Sequence, residues 1–368
     1  MLKSTLKRIL PQSWLHAVAR GRETARYLLA AAFAWSGWTA SIYYVLLSGS
    51  FRREQLAVLQ GRCRYYRRSR REGGNVYRLR RNVHRLEKGL IMRPRRPSFA
   101  ADYIEETVRL FHLLADRSPV PNADLQWAGD VLTQYFASVQ PTPAIERARS
   151  SFLARCGDRV PGTCLPRERG TYQAAAVRFD DLLELARRRR SVRWYARRDV
   201  PRSLLDQAVQ VAALSPSACN RQPYRFVIFD RAEDAAAVGS VAGGTAGFSA
   251  NFNCLVVVVA ELDAYADERD RHLIYIDSAL ACMSFMLALE TVGLSSCPIN
   301  WPDVEDREAR IRQLLELRPD ERVIMLVSVG YADPAGGVPA SAKRDLDLIR
   351  SYWTLQRNPA QRPHPDGN

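Results

Sequence analysis

Apolar positions recur at helical spacing through much of the chain before residue 170. Within VYRLRRNVHRLEKGL, Val76, Leu79, Val83, Leu86 and Leu90 lie three and four apart, so 76–90 predicts an amphipathic helix with a basic opposite face. Leu2, Leu6, Ile9 and Leu10 predict a helical start within 1–26, and 100–114 and 123–139 predict two further helices. The prolines of IMRPRRPSF forbid helix continuation after 90, and 141–169, with Pro, Gly and mixed charge, reads as a linker. Beyond it the pattern changes. Helical periods at 179–185 and 203–214 alternate with apolar runs at 224–229 and 255–260, and the second run is unbroken enough for a strand buried on both faces. In 203–214 the expected buried stripe is Leu204, Leu205, Ala208, Val211 and Ala212. Residues 277–292 are apolar nearly all round, which predicts a helix covered on several sides. A helix at 303–317 and a long strand at 323–331 complete the set, and 356–368 reads as a disordered tail.

One segment breaks the amphipathic rhythm. Residues 27–51 carry no charge and lie between Arg26 and Arg52-Arg53. The length suits a bilayer span, but the Ser, Thr, Gly, Trp, Tyr and Ala content makes insertion marginal. A membrane span, a membrane-surface helix and an ordinary buried helix all fit it. Charge sharpens the division of the chain. Residues 1–97 hold 22 Lys/Arg against 4 Asp/Glu, a net of +18; residues 98–368 hold 32 against 35, a net of −3. The basic face of 52–97, with RCRYYRRSRR at 62–71, either packs on the next domain as a solvated surface or meets an anionic membrane surface or another polyanion. No nucleic-acid module supports a nucleic-acid partner. Seven scattered cysteines without CxxC spacing fit a reducing cytoplasm, and five histidines form no ligand cluster, so no metal is expected.

The chemistry concentrates in 187–226, RRRRSVRWYARRDVPRSLLDQAVQVAALSPSACNRQPYRF. Guanidinium groups offer planar donors and permanent charge to a phosphate. Asn220 and Gln222 offer donor and acceptor pairs to the edge of a flat heterocycle. A ligand with a phosphate at one end and a uracil-like edge at the other would satisfy both. The glycine-rich AVGSVAGGTAG at 237–247 lacks the strand–turn–helix context of a dinucleotide fingerprint and reads as a loop near the site mouth.

RRSVRWY followed by SPSACNRQPYRF resembles the opening of the FMN-dependent nitroreductase family. The small, apolar helix at 277–292, the loop GLSSCPIN at 293–300 and Lys343-Arg344 after a last strand agree in order, so the resemblance covers about 180–350. It implies an α+β fold, a nitroreductase-like mixed sheet flanked by helices with FMN at a homodimer interface, here preceded by a mainly α-helical N-terminal region. The implied division is a basic helical region (1–97), a helical region and linker (98–170) and the FMN domain (171–355). By resemblance, Arg189, Arg190 and Ser191 hold the phosphate and Arg193 reaches the ring or ribityl side. Pro216, Ser217, Ala218, Asn220 and Gln222 form a ligand loop. Pro298, Ile299 and Asn300 follow the family segment whose backbone N–H faces the flavin, with Asn300 where an acidic residue or glycine is often found. Lys343 and Arg344 match a late phosphate-binding position. The implied activity is a ping-pong oxidoreductase in which NAD(P)H reduces FMN and a small nitro, quinone or similar conjugated acceptor takes the electrons, with no catalytic side chain of its own. A flavin-binding module without turnover, tethered to a membrane or polysaccharide-biosynthesis assembly, and a flavoenzyme for one biosynthetic intermediate are the alternatives. HRLEKGLIMRPRRPSF is similar to N-terminal regions joined to such domains in bacterial surface-polysaccharide gene clusters.

Overall fold

The computed structural model describes residues 12–70, 74–117 and 123–353. The expected face of Leu2, Leu6, Ile9 and Leu10 and the tail at 356–368 lie outside the described residues.

Strands β1 (Tyr224–Phe229), β2 (Cys254–Glu261), β3 (Ser295–Asn300) and β4 (Glu321–Gly330) form one sheet in the order β1-β2-β4-β3, with every pairing antiparallel. Among the described residues its parallel component is one bridge, between Ser191 and Ser296. β2 fulfils the doubly buried expectation. Val256, Val258 and Ala260 enter one core with Phe285 and Leu289, while Leu255, Val257 and Val259 enter another with Phe252 and Ile311. The sequence read 293–300 as a loop, whereas 295–300 is a strand. Its edge position explains how Pro298 is accommodated, since proline lacks the N–H that an interior ladder requires.

Two helices cover the first of these cores, and α10 (Ala232–Gly239) packs Ala235 and Val238 into the other. α11 (Leu273–Thr291) packs against the sheet and against α9 (Arg202–Ala213). α9 buries Leu205, Ala208 and Ala212 as expected, but Val211 is exposed, and so is Leu214 just beyond it.

The N-terminal half divides between two cores. α4 (Val76–Leu90), α5 (Ile104–Arg117), α6 (Ala123–Ser138) and α7 (Pro143–Cys156) share one, centred on Leu79, Val83, Leu86, Leu132, Tyr135 and Phe152. α7 lies within the stretch expected to be a linker. Thr142 caps it by accepting from the Ile145 N–H, and Pro143 occupies its first turn, where a missing N–H costs nothing. α3 (Arg52–Arg70) instead docks on the sheet domain. Ala57 joins that core, and Gly61 permits close approach, since a Cβ there would lie 2.7 Å from Leu262 Cβ. Arg53 pairs with Asp303 and Glu305, Arg62 with Glu268, and both Arg64 and Arg68 with the fully buried Asp263, at 2.9 and 2.7 Å.

Segment 27–51 is not one helix. α1 (Gln12–Phe33) ends, Ser36 caps α2 (Gly37–Ile42), and a π-helical turn (Tyr43–Leu47) follows. Among the described residues one helix, Glu268–Thr291, has the length and hydropathy to cross a membrane, and it consists mainly of α11 in the domain core.

Candidate functional site

α8 (Phe179–Arg188) starts with Asp180 and Asp181 and ends with Arg187 and Arg188, charges that complement its dipole at each end. The chain leaves it extended along the edge strand, where the Val192 N–H donates to the Ser296 carbonyl at 3.0 Å. The arginine block is thereby laid beside β3. Arg188 lies 3.6 Å from Glu290, whose carboxyl is pushed up by burial and drawn back by Arg188 and Arg189. Arg187, Arg189 and Arg190 make no ion pair among the described residues. Arg189 Nε, Ser296 Oγ and Glu290 Oε1 are all buried without a hydrogen-bond partner. Two donors and one carboxylate oxygen are thus orphaned around one short stretch, in an interior where such groups are normally satisfied.

Arg193 turns back towards the Ser191 carbonyl (3.4 Å) and lies 5.7 Å from the Phe248 ring, while its own carbonyl accepts from Asn251 Nδ2 at 2.9 Å. Tyr195 fixes the exit of the block by donating to the Val192 carbonyl at 2.7 Å. Farther along β3, Ile299 is buried, Pro298 is half-buried and Asn300 is exposed. Burial raises the nearby Cys297 thiol, with Arg193 opposing, so this cysteine is a small core residue at neutral pH.

The amide loop is built elsewhere. After α9 the chain passes through Pro216 and Ser217 and then places Cys219, Asn220 and Gln222 at φ of 53°, 52° and 49°. Left-handed backbone costs a non-glycine residue about 1–3 kcal/mol and persists only where surrounding contacts hold it. Here the Ala218 N–H donates to Asp277 Oδ2 (3.0 Å), the Gln222 N–H to Ser217 Oγ (3.0 Å), and Gln222 Nε2 to the Ala213 carbonyl (2.6 Å). The remaining support comes from the helical region. Arg80 on α4 donates from Nε to the Asn220 carbonyl (2.6 Å) and from Nη2 to Gln222 Oε1 (2.8 Å). Its other nitrogen pairs with Asp124 on α6, and its guanidinium lies 5.3 Å from the Trp127 ring centroid. Both ends of the Gln222 amide are therefore engaged within the protein, and in this structure Gln222 braces the loop it was expected to equip as a ligand. The Asn220 side chain makes no hydrogen bond among the described residues and is half-buried.

The two groups belong to opposite ends of α11. Asp277, which anchors the amide loop, and Glu290, which faces the arginine block, are 13 residues apart, about 20 Å along a helix axis. One chain thus does not bring the clamp and the amide loop together around one ligand. Lys343 and Arg344 are exposed beyond β4 and make no ion pair or hydrogen bond among the described residues. Sequence reading missed Arg80 and Asp277 as loop supports. Arg80 lies in an arginine run 140 residues away, and nothing local marks it out.

The domain is a helix-flanked antiparallel sheet with basic, hydrogen-bond-deficient residues along one edge. Residues 186–331 match the Nitroreductase family model, and this stretch of the chain is a nitroreductase-family domain. An NADH dehydrogenase of Thermus thermophilus is 28% identical over 42% of this chain and 89% of its own length. Human iodotyrosine deiodinase 1 is 22% identical over 47% and 68%. Among solved structures, an FMN-dependent nitroreductase from Clostridium difficile aligns with 22% identity and a TM-score of 0.40, covering 47% of this chain and 99% of that one.

Proposed function

We propose that the chain is an FMN-dependent, NAD(P)H-linked oxidoreductase whose flavin site is completed by a second copy. The observation that carries this reading is the separation of the two half-sites along α11 together with the apolar surface between them. Ile276, Leu280 and Met283 form an exposed stripe on α11, Val211 and Leu214 extend it from α9, and Phe179 and Leu182 from α8. A two-fold contact is self-complementary, so pairing this surface with itself in an antiparallel sense would bring the arginine end of one copy to the amide loop of the other.

The residues fit the cofactor. Arg189 Nε and Ser296 Oγ are buried donors without acceptors, the chemistry a phosphate satisfies. Arg189, Arg190 and Ser191 would hold the phosphate, with exposed Lys343 and Arg344 as added cationic candidates. Pro298, Ile299 and Asn300 would line the ring from β3, and Arg193 would supply positive charge beside it. From the second copy, Pro216, Ser217, Ala218 and the free side chain of Asn220 would meet the opposite edge, with Gln222 holding the loop. Bound there, FMN supplies two-electron exchange between NAD(P)H and a small conjugated acceptor. The chain's own tasks are to bind, to orient, to place cationic charge and to exclude water with the apolar interface. The names of the relatives, NADH dehydrogenase and iodotyrosine deiodinase, support a small organic acceptor. The proposed location, the cytoplasm or the inner face of a membrane, rests on the scattered cysteines and the basic stretch 52–97.

Sedimentation of wild-type protein and of Met283→Arg tests this. Met283 is 41% exposed, so the substitution spares the core, unlike one at the buried Met286. The wild type should sediment as a flavin-loaded dimer and the variant as a folded monomer with little flavin. A flavin-loaded wild-type monomer contradicts the composite site.

A further inference from the structure

No side chain described between residues 14 and 51 is buried. Trp35 is 75% exposed, Trp38 84%, Leu46 72% and Tyr27 69%, and exposed Leu56 and Leu59 extend this apolar surface onto α3. So many exposed large apolar side chains exceed what an isolated soluble surface carries. The segment is also folded back on itself. The Phe33 and Tyr43 rings lie 5.9 Å apart, although ten residues of straight helix would separate them by about 15 Å. Thr39 Oγ1 donates to the Phe33 carbonyl at 2.7 Å, Tyr44 meets Phe51 at 4.5 Å, and Arg52 reaches the Val45 carbonyl at 3.3 Å. The longest uncharged helical piece after the break, 37–47, extends about 16 Å, roughly half of a hydrocarbon core about 30 Å thick.

Charge identifies what covers this surface. Arg20, Arg22 and Arg26 before the uncharged segment and Arg52 after it are exposed and have no carboxylate partner among the described residues. A second copy docked here would set these arginines against their own kind. Anionic headgroups would neutralise them, and Trp and Tyr favour the interface just beneath. We propose that residues 14–59 form an anchor for the surface of an anionic phospholipid bilayer, inserted from one side without crossing it. This proposal is independent of the flavin reading, because none of its residues belongs to either half-site.

The test uses the full chain and sedimentation with phosphatidylcholine vesicles containing phosphatidylglycerol. Binding should be strong at low salt, weak to pure phosphatidylcholine, and reduced at about 0.5 M NaCl. Trp35→Glu with Leu46→Glu should weaken binding at least roughly tenfold, since charges are costly even in the interface, while the melting curve stays unchanged because both side chains are exposed. In vesicles of brominated lipid, tryptophan fluorescence should be quenched best by bromines near the headgroup, and replacing all three exposed tryptophans of the anchor (Trp14→Phe, Trp35→Phe and Trp38→Phe) should abolish that quenching. Absence of binding to anionic vesicles, a double Glu variant that binds like wild type, or self-association through Trp35 without lipid would overturn the proposal. Quenching best at the bilayer centre would overturn one-sided insertion.

Discussion

Two arginine-rich stretches, 52–70 and 187–193, look alike as sequence and differ in what surrounds them. On α3, Arg53, Arg62, Arg64 and Arg68 each meet a carboxylate of the sheet domain, and Asp263 takes two of them in a fully buried position. In the later block, among the described residues, only Arg188 approaches a carboxylate, and Arg189 keeps a buried nitrogen without an acceptor. Charge density does not separate a docking surface from a binding site; the state of the partners does. A guanidinium already paired with a buried carboxylate contributes to folding, and one held with a donor unused is available to a ligand.

The comparison breaks most sharply at the later block. Arg189→Ala with Arg190→Ala removes charge-assisted contacts of roughly 1.5–3 kcal/mol each, so FMN affinity should fall by about a hundredfold or more. Fluorescence titration of apoprotein with FMN reads this, and the melting temperature should barely move. Arg64→Ala with Arg68→Ala should do the reverse. It strands Asp263 and should cost about 3 kcal/mol of stability in denaturant unfolding, with flavin per folded molecule unchanged. A double variant that lost flavin and kept its stability would reverse the roles assigned here.

Arg80 tests whether the helical region belongs to the site. Arg80→Ala releases the Asn220 carbonyl and Gln222 Oε1 and leaves Asp124 unpaired, at a cost of about 1.5–3 kcal/mol. The relaxed loop should weaken FMN binding less than loss of the arginine block does, with partial rescue by Arg80→Lys. Equal flavin affinity in Arg80→Ala would reduce the contact to domain docking.

The smallest expected effect concerns pH. Burial raises the Asp277 carboxyl above its usual range despite the Ala218 N–H and Tyr265 hydroxyl that it accepts from. The folded state therefore holds that proton more tightly than the unfolded chain. This contribution is complete below the ordinary carboxylate pKa and is lost as pH rises through the raised value. Asp277→Asn keeps an acceptor for both donors and should flatten the decline of stability over that interval. An unchanged pH profile would show that Asp277 does not contribute to it.

Elements with a strong period were legible. The apolar positions of 76–90 gave α4 its bounds, and LVVVVA gave β2 burial on both faces. α7 was missed because Ile145, Ala148 and Phe152 are too sparse to stand out, although Thr142-Pro143 offered a cap signal. β3 was missed because Ser, Cys and Pro disguise an edge strand. The arginine block and the amide loop could be read as chemistry, but not their separation along α11 or the Arg80 brace, which depend on contacts between distant residues. The basic character of α3 was visible without its carboxylate partners, which lie some 200 residues later in the chain.

The visible absorption spectrum of the purified full-length protein, recorded anaerobically before and after NADH or NADPH, tests the account most directly. It predicts a yellow protein that releases FMN on denaturation and bleaches with at least one of the two donors. A colourless protein that also fails to take up added FMN would contradict it.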